Sequence, residues 1–326
     1  MAKITMVEAV TMALAHELEH DKDVIVLGED VGINGGVFRA TSGLAQKFGE
    51  DRVLDTPLAE AMIAGMTVGM ATQGMRPIAE AQFLGFIYPM VEHIICHAAR
   101  MRNRTRGRLT CPLVIRAPYG GGIHAPEHHS ESTEALFAHM PGIRVVVASS
   151  PSRAYGLLLA AIRNPDPVLF LEPKRVYHLN KEEVEDDGEE YPLDMCFVIR
   201  EGSDVTLVTW GAMMKETLEA ADKLAEQGIS AEVIDVATIS PLDMDTIHES
   251  VAKTGRCVII QEAAKHCSVS SEIAANLADQ GLYNLMAPVK RVTGYDVIMP
   301  LFKLEKKYMP TVDRILDKVN QVLEVS

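Results

Sequence analysis

Val205-Thr206-Leu207-Val208-Thr209-Trp210 is an apolar, β-branched run, the composition of a strand buried on both faces. An amphipathic stretch follows over residues 213–227 and stops at Gly228, the residue that a helix C-terminus favours. Glu232-Val233-Ile234-Asp235-Val236 repeats the strand signal, and residues 243–253 repeat the helical one. Residues 257–261, 268–279 and 290–293 continue as strand, helix and strand. Strict alternation predicts a parallel sheet covered by helices.

The same pattern extends toward the N-terminus with less regularity. Thr5-Met6-Val7-Glu8 reads as a capping box that opens a helix to about residue 20. Val24-Ile25-Val26-Leu27 ends at Gly28 as a buried strand does. Val53-Leu54-Asp55 is a short strand. Thr56 is expected to cap the next helix, with Pro57 at its first position, running to about residue 74. Gly65 and Gly69 share a face of that helix and predict close backbone packing. Strands are expected over 77–81, 113–116, 144–148 and 168–172, and helices over 86–104 and 152–163.

A chain of 326 residues exceeds one ordinary core, so two domains are expected, 1–187 and 188–326. Lys181 to Glu190 holds seven acids and one lysine and reads as a solvated linker between them. The whole chain carries −14, which argues against nucleic acid as a main partner. No apolar run reaches the roughly 18 residues of a membrane span. Met1-Ala2-Lys3-Ile4-Thr5 has neither signal-peptide nor transit-peptide character, so a cytoplasmic setting is expected, or a mitochondrial matrix if a presequence was removed. The five cysteines form no Cys-x-x-Cys and mostly sit in apolar runs, which predicts buried thiols.

Glu60 lies among Leu58, Ala59, Ala61, Met62 and Ile63 near a helix start. Two readings stand: a surface acid favoured by the helix dipole, or a buried acid able to hold a proton near neutrality. His128 and His129 follow the glycine-rich loop Gly120-Gly121-Gly122, which invites close ligand approach. Either is an acid/base candidate on a loop, and spacing does not choose between them. His93 and His97 share a helical face but lack the glutamate of His-Glu-x-x-His, so packing is favoured over zinc. The alternating Arg100, Arg102, Arg104, Arg106 and Arg108 are expected to complement a helix C-terminus and pair with acids at a subunit contact. Gly-Lys-Ser/Thr and Gly-Asp-Gly are both absent.

Several long segments resemble the β subunit of the E1 component of 2-oxo acid dehydrogenase complexes. They include Leu27-Gly28-Glu29-Asp30-Val31-Gly32, Gly35-Gly36-Val37-Phe38-Arg39-Ala40-Thr41 and Arg52-Val53-Leu54-Asp55-Thr56-Pro57-Leu58-Ala59-Glu60. Arg76-Pro77-Ile78-Ala79-Glu80-Ala81-Gln82-Phe83, His129-Ser130-Glu131-Ser132, Pro141-Gly142-Ile143-Arg144-Val145-Val146 and Ser240-Pro241-Leu242-Asp243 follow in the same order. The resemblance implies two doubly wound α/β domains, a pyrimidine-binding domain followed by a transketolase C-terminal-type domain for assembly and E2 docking. It implies thiamine diphosphate shared with an E1 α chain, which holds Mg2+ and the diphosphate. The missing Gly-Asp-Gly is then the partner's.

By the same resemblance Glu60 bonds the aminopyrimidine and places its proton, Gln82 and Phe86 line the ring, and His129 handles protons during acyl transfer to lipoyl-E2. A potassium ion near Ala161, Ile162, Asn164 and Asp166 is a further implication, although Asn164 stands where some members carry an acid. His128 stands where the family often has Tyr or Leu. The expected assembly is an α2β2 heterotetramer acting on a 2-oxo acid. Pyruvate is favoured, with branched-chain 2-oxo acids and acetoin as alternatives. A non-catalytic assembly subunit and a complete transketolase-like enzyme are the rival readings.

Overall fold

The computed structural model describes residues 3–179 and 181–325. They form two units, one of residues 3–119 and 136–193, the other of 120–135 and 194–325. The sequence places one boundary at 187. In the structure residues 188–193 stay with the first unit, where Tyr191 N donates to Gly156 O and Arg163 Nη1 to Gly188 O. The loop 120–135 belongs to the second.

Within the first unit the strands run in the order Arg144–Val147, Val168–Pro173, Val114–Tyr119, Arg76–Glu80, Val24–Gly28, Val53–Asp55, and each neighbouring pair is parallel. Their side chains are almost wholly buried, as continuous apolar runs require. Pro77 is tolerated because pairing with Val114–Tyr119 starts only at Ile78. Helix Met6–His20 opens on the expected capping box, with Glu8 Oε2 accepting from Thr5 N at 2.7 Å. It packs on helix Pro151–Arg163, and Arg163 Nη2 pairs with the buried Glu17 at 2.7 Å.

Several local expectations fail for identifiable reasons. The helix after Val53–Asp55 begins at Glu60, with Ala59 as N-cap and no side-chain cap. Thr56 cannot cap it, because Thr56 N still extends the sheet ladder to Gly28 O. Gly65 does meet a neighbour, the His93 ring, but a Cβ at Gly69 would meet nothing within 4 Å. Residues 86–104 are not one helix. They form 3-10 turns at Leu84–Phe86 and Tyr88–Met90, a π-helix at Glu92–Ala98 and a short α-helix at Met101–Arg104. Arg104 Nη2 caps Cys96 O and Arg102 pairs with Asp166 inside the unit.

The acidic run is no free linker. Glu182–Glu183 pairs antiparallel with Lys3–Ile4, and Glu182 accepts from Ser152. Asp186 binds His16 and Tyr155, and Glu190 binds Arg163. Cys111, Cys196 and Cys257 are buried, and burial pushes the Cys111 and Cys257 thiols up to about 12. Cys267 is exposed, against expectation.

The second unit orders its strands Lys290–Val292, Cys257–Ile260, Val205–Thr209, Ala231–Asp235, Phe197–Arg200. All pairs are parallel except the last, an antiparallel edge that the sequence did not announce. Leu207, Val233, Val258 and Ile260 pack with Leu224 of helix Met214–Glu226 and Ile315 of helix Val312–Leu323. Thr206 points to the opposite face, where its hydroxyl bonds Ser250 and Thr254 of helix Met244–Thr254. Helices therefore cover both faces. Among the described residues no helix is long and apolar enough to cross a membrane.

An ion network sits in the core of the first unit. Arg116 Nε and Nη2 grip Glu172 at 2.7 and 2.8 Å, and Nη1 reaches Glu80 at 2.9 Å. Tyr177 OH donates to Glu172. All four residues are buried. Burial raises the Glu80 carboxyl while Arg116 opposes that rise. Removing one partner of such a network strands the rest in low dielectric. Arg116→Ala is expected to lower the stability of the first unit by about 3–5 kcal/mol in urea unfolding. Breaking the exposed Lys47–Glu19 pair is expected to leave the midpoint unchanged. Equal midpoints for the two variants would contradict the assignment.

Candidate active site

Val53–Asp55, Val24–Gly28 and Arg76–Glu80 are adjacent and parallel, so their carboxyl ends open on one edge, where α/β sheets bind ligands. The chain leaves Asp55 extended, turns at Ala59 and starts its helix on Glu60. The Glu60 carboxyl is half-buried at the positive end of that helix. This lies between the two sequence readings, neither open surface nor sealed core. Glu29 follows directly on Gly28. Burial, then the charges of Asp30 and Glu60, raise its pKa. Thr56 Oγ1, four residues before Glu60, is buried with no hydrogen-bond partner among the described residues.

The loop after Gly28 is tied down by Asp55, whose carboxylate accepts from Gly32 N at 2.6 Å and Ile33 N at 3.1 Å. Beyond Glu80, Gln82 and Phe86 are both half-buried on turns. Phe86 meets Phe83 edge to face at 5.4 Å, Phe83 meets Phe38 at 5.4 Å, and Phe38 meets Tyr177 at 5.3 Å. Lys174 Nζ lies 5.3 Å from the Phe83 ring centroid, a cation–π contact. Phe86 is thus the outer end of an aromatic file that begins at the buried ion network. Glu60 starts the helix after Val53–Asp55, and Gln82 and Phe86 stand on the turns after Arg76–Glu80, the two strands that flank Val24–Gly28 in one sheet.

His129 belongs to the second unit. It ends the 3-10 turn Glu127–His129 and is half-buried, while His128 is exposed. The glycines before it are not left open for a ligand. Gly120, Gly122 and His124 have φ of 84°, 86° and 60°, which turns successive N–H groups toward one side as in an anion nest. Glu262 and Glu305 of the same unit fill that nest. Glu262 Oε1 accepts from Gly121 N and from Ser132 Oγ at 3.1 Å. Glu305 accepts from Gly122 N at 2.7 Å, His124 N at 3.2 Å and His124 Nδ1 at 2.7 Å. Gly120 N closes the loop on Glu131 O.

His93 and His97 have ring centroids 5.6 Å apart, and no group of three or more His, Cys, Asp or Glu gathers as a metal site among the described residues. The stretch linked to potassium is bonded within the unit. Arg76 Nη1 already binds Ile162 O and Arg163 O at 3.0 and 3.1 Å. Asn164 N bonds Ala161 O, Asn164 Oδ1 accepts from Asp166 N, and Asp166 holds Arg102.

Residues 2–179 match the family described as transketolase, pyrimidine binding domain, and residues 196–315 match transketolase, C-terminal domain. A Bacillus subtilis chain called pyruvate dehydrogenase E1 component subunit beta is 48% identical over 324 residues, covering 99% of this chain and 100% of its own. Chains of the same description from Acholeplasma laidlawii and Staphylococcus aureus are 47% and 45% identical, covering 97% and 99% of this chain and 96% and 100% of theirs. A solved structure described as a split gene transketolase, inactive beta4 tetramer, superposes with a TM-score of 0.78 at 26% identity and 99% coverage of both chains.

Sequence reading missed Glu29, Glu134, Glu262 and Glu305. The last three are acids that stay buried in the second unit, visible only once the fold closes. Glu134 is raised to about 7 by burial first and by the Glu262 charge, against bonds from its own N–H and from Trp210. Its Oε2 has no hydrogen-bond partner among the described residues. The folded chain therefore keeps a proton that the unfolded chain releases near 4.5. Folding binds the extra proton, so stability is full below pH 4.5 and declines until about pH 7. Glu134→Gln is expected to stabilise the second unit at pH 8 by up to about 3 kcal/mol and to leave it unchanged at pH 4. Thermal unfolding at both pH values checks this, and an equal shift at both would refute it.

Proposed function

The chain belongs to the family of pyruvate dehydrogenase E1 β subunits, with a transketolase pyrimidine-binding domain followed by a transketolase C-terminal domain, and from that premise we propose that it holds the ring end of thiamine diphosphate for decarboxylation of pyruvate and acetyl transfer to lipoyl-E2. The carrying observation is that Glu60 on one side, and Gln82 and Phe86 on the other, follow the ends of the two strands that flank Val24–Gly28, in the unit that matches the pyrimidine-binding domain. The residues fit the cofactor. A half-buried acid, a half-buried aromatic ring and the unsatisfied Thr56 hydroxyl suit a planar, nitrogen-bearing heterocycle.

Thiamine diphosphate, when bound, supplies the electron sink that lets a 2-oxo acid lose carbon dioxide. Glu60 would hold a proton at its carboxyl against a ring nitrogen. Phe86 presents a ring face, backed by Phe83, and Gln82 supplies an amide. His129 moves a proton during acyl transfer. The chain has no Gly-Asp-Gly, so the diphosphate and Mg2+ belong to an E1 α partner in an α2β2 assembly. Exposed Leu58, Met62 and Met66 along the Glu60 helix support a covering partner. The second domain serves assembly and E2 docking, and the setting is the cytoplasm. Pyruvate is preferred over branched-chain 2-oxo acids and acetoin, in keeping with the descriptions of the curated relatives.

Co-expression with an α chain and turnover on a panel of 2-oxo acids tests this reading. No decarboxylation of any substrate would leave the assembly-subunit reading standing. Glu60→Gln is expected to lower carbon dioxide release by about 10²–10⁴-fold while the two chains still co-elute. His129→Ala is expected to cut acetyl transfer to a lipoyl domain by about 10²-fold with cofactor affinity kept. Wild-type transfer combined with weak cofactor binding would contradict the role given to His129.

A further inference from the structure

The loop 120–135 is unusual in how it is held. Its N–H groups point to one side through alternating positive φ, an arrangement that elsewhere binds phosphate or a carboxylate ligand. Here the anions come from the unit itself. Glu262 follows the strand Cys257–Ile260, so it stands at the carboxyl end of the second sheet. Trp210 follows the neighbouring strand Val205–Thr209, and its indole donates to Glu134. Glu305 comes from the helix Phe302–Tyr308. The end of the sheet where a ligand would ordinarily dock is thus occupied by a loop, pinned at both flanks of His129.

Glu262 bridges Gly121 on one side of that histidine and Ser132 on the other, while Glu305 holds Gly122 and His124. Both carboxyls are buried, at 5% and 2% exposure, where charge-assisted bonds are strong and rigid. Gly120 is required at this contact, since a Cβ there would stand 2.8 Å from Glu262 Oε1.

We infer that Glu262 and Glu305 are positioning residues, which hold the loop 120–135 so that His129 is set for proton transfer. This rests on the role proposed for His129. Neither acid touches the reacting atoms; each acts through the backbone of the loop.

The test uses the chain assembled with its α partner and two readouts. One is the ratio of acetyl transfer onto a lipoyl domain to pyruvate decarboxylation with an artificial oxidant. The other is amide hydrogen exchange of residues 120–135. Glu262→Ala is expected to speed exchange in the loop and to lower the ratio about tenfold, the scale of a small misplacement of a catalytic group. Glu262→Gln keeps an acceptor oxygen for Gly121 and Ser132, and is expected to recover most of both. Glu305→Gln loses an acceptor facing His124 and is expected to loosen the loop with little effect on folding, which keeps the inference testable if Glu262→Ala fails to fold.

In a His129→Ala background Glu262→Ala is expected to cost nothing further, since a positioning effect needs something to position. Additive losses, or faster exchange with an unchanged ratio, would overturn the inference and leave the role of His129 intact. An unchanged ratio in His129→Ala itself would overturn that role first, and the inference with it.

Discussion

A guanidinium locked between two carboxylates in the core organises the first unit. Arg116, Glu80 and Glu172 come from three adjacent strands and each is buried. Such a group is costly to desolvate and directional once paired. It therefore specifies where those strands end relative to one another. Glu80 is the last residue of its strand, two positions before Gln82, so its fixation also sets where the turn toward Phe86 begins. Tyr177 bonds Glu172 and meets Phe38 edge to face, and the aromatic file then runs through Phe83 to Phe86. The ring that the cofactor reading needs is a continuation of the ionic core.

The two units employ buried acids differently. In the first, the acids meet a guanidinium and the charge is neutralised by a side chain. In the second, Glu262 and Glu305 meet backbone N–H groups of a loop, which carry only partial charge. The first arrangement resists deformation. The second is held mainly by backbone donors, and depends on left-handed backbone angles to aim them. A platform set by ion pairs and a loop set by buried carboxylates suit the different tasks proposed for Glu60 and His129.

Much of the architecture was legible in the sequence because local and global signals agreed. The Thr5 and Glu8 capping box, the runs Val24-Ile25-Val26-Leu27 and Val205-Thr206-Leu207-Val208, and Gly228 after its helix all lie where their chemistry says. Thr56 misled because a capping residue was also the next rung of a ladder, and the ladder bond to Gly28 prevailed. Residues 92–98 misled because a π-helix shares the apolar spacing of an α-helix over so short a stretch. The acidic decapeptide read as linker because its partners, His16, Tyr155 and Arg163, are remote in sequence. The site was legible in its residue types and family resemblance. Its support was not: Arg116, Glu172 and Glu262 are single charges in apolar runs, and only tertiary pairing tells a buried ion from a misplaced one.

The loop around His129 also carries a consequence for synthesis on the ribosome. Gly122 and its acceptor Glu305 are 183 residues apart in the chain. At about 5–20 residues per second, the acceptor emerges roughly 10–40 s after its donor. Through that interval the nascent loop has its amides turned to water or to whatever anion is at hand. The six strands described for the first unit can pair long before then, since the last of them ends at Pro173. The proton carrier is thus mounted late, and a chain stalled short of residue 305 would carry the paired strands of the first unit and an unmounted histidine.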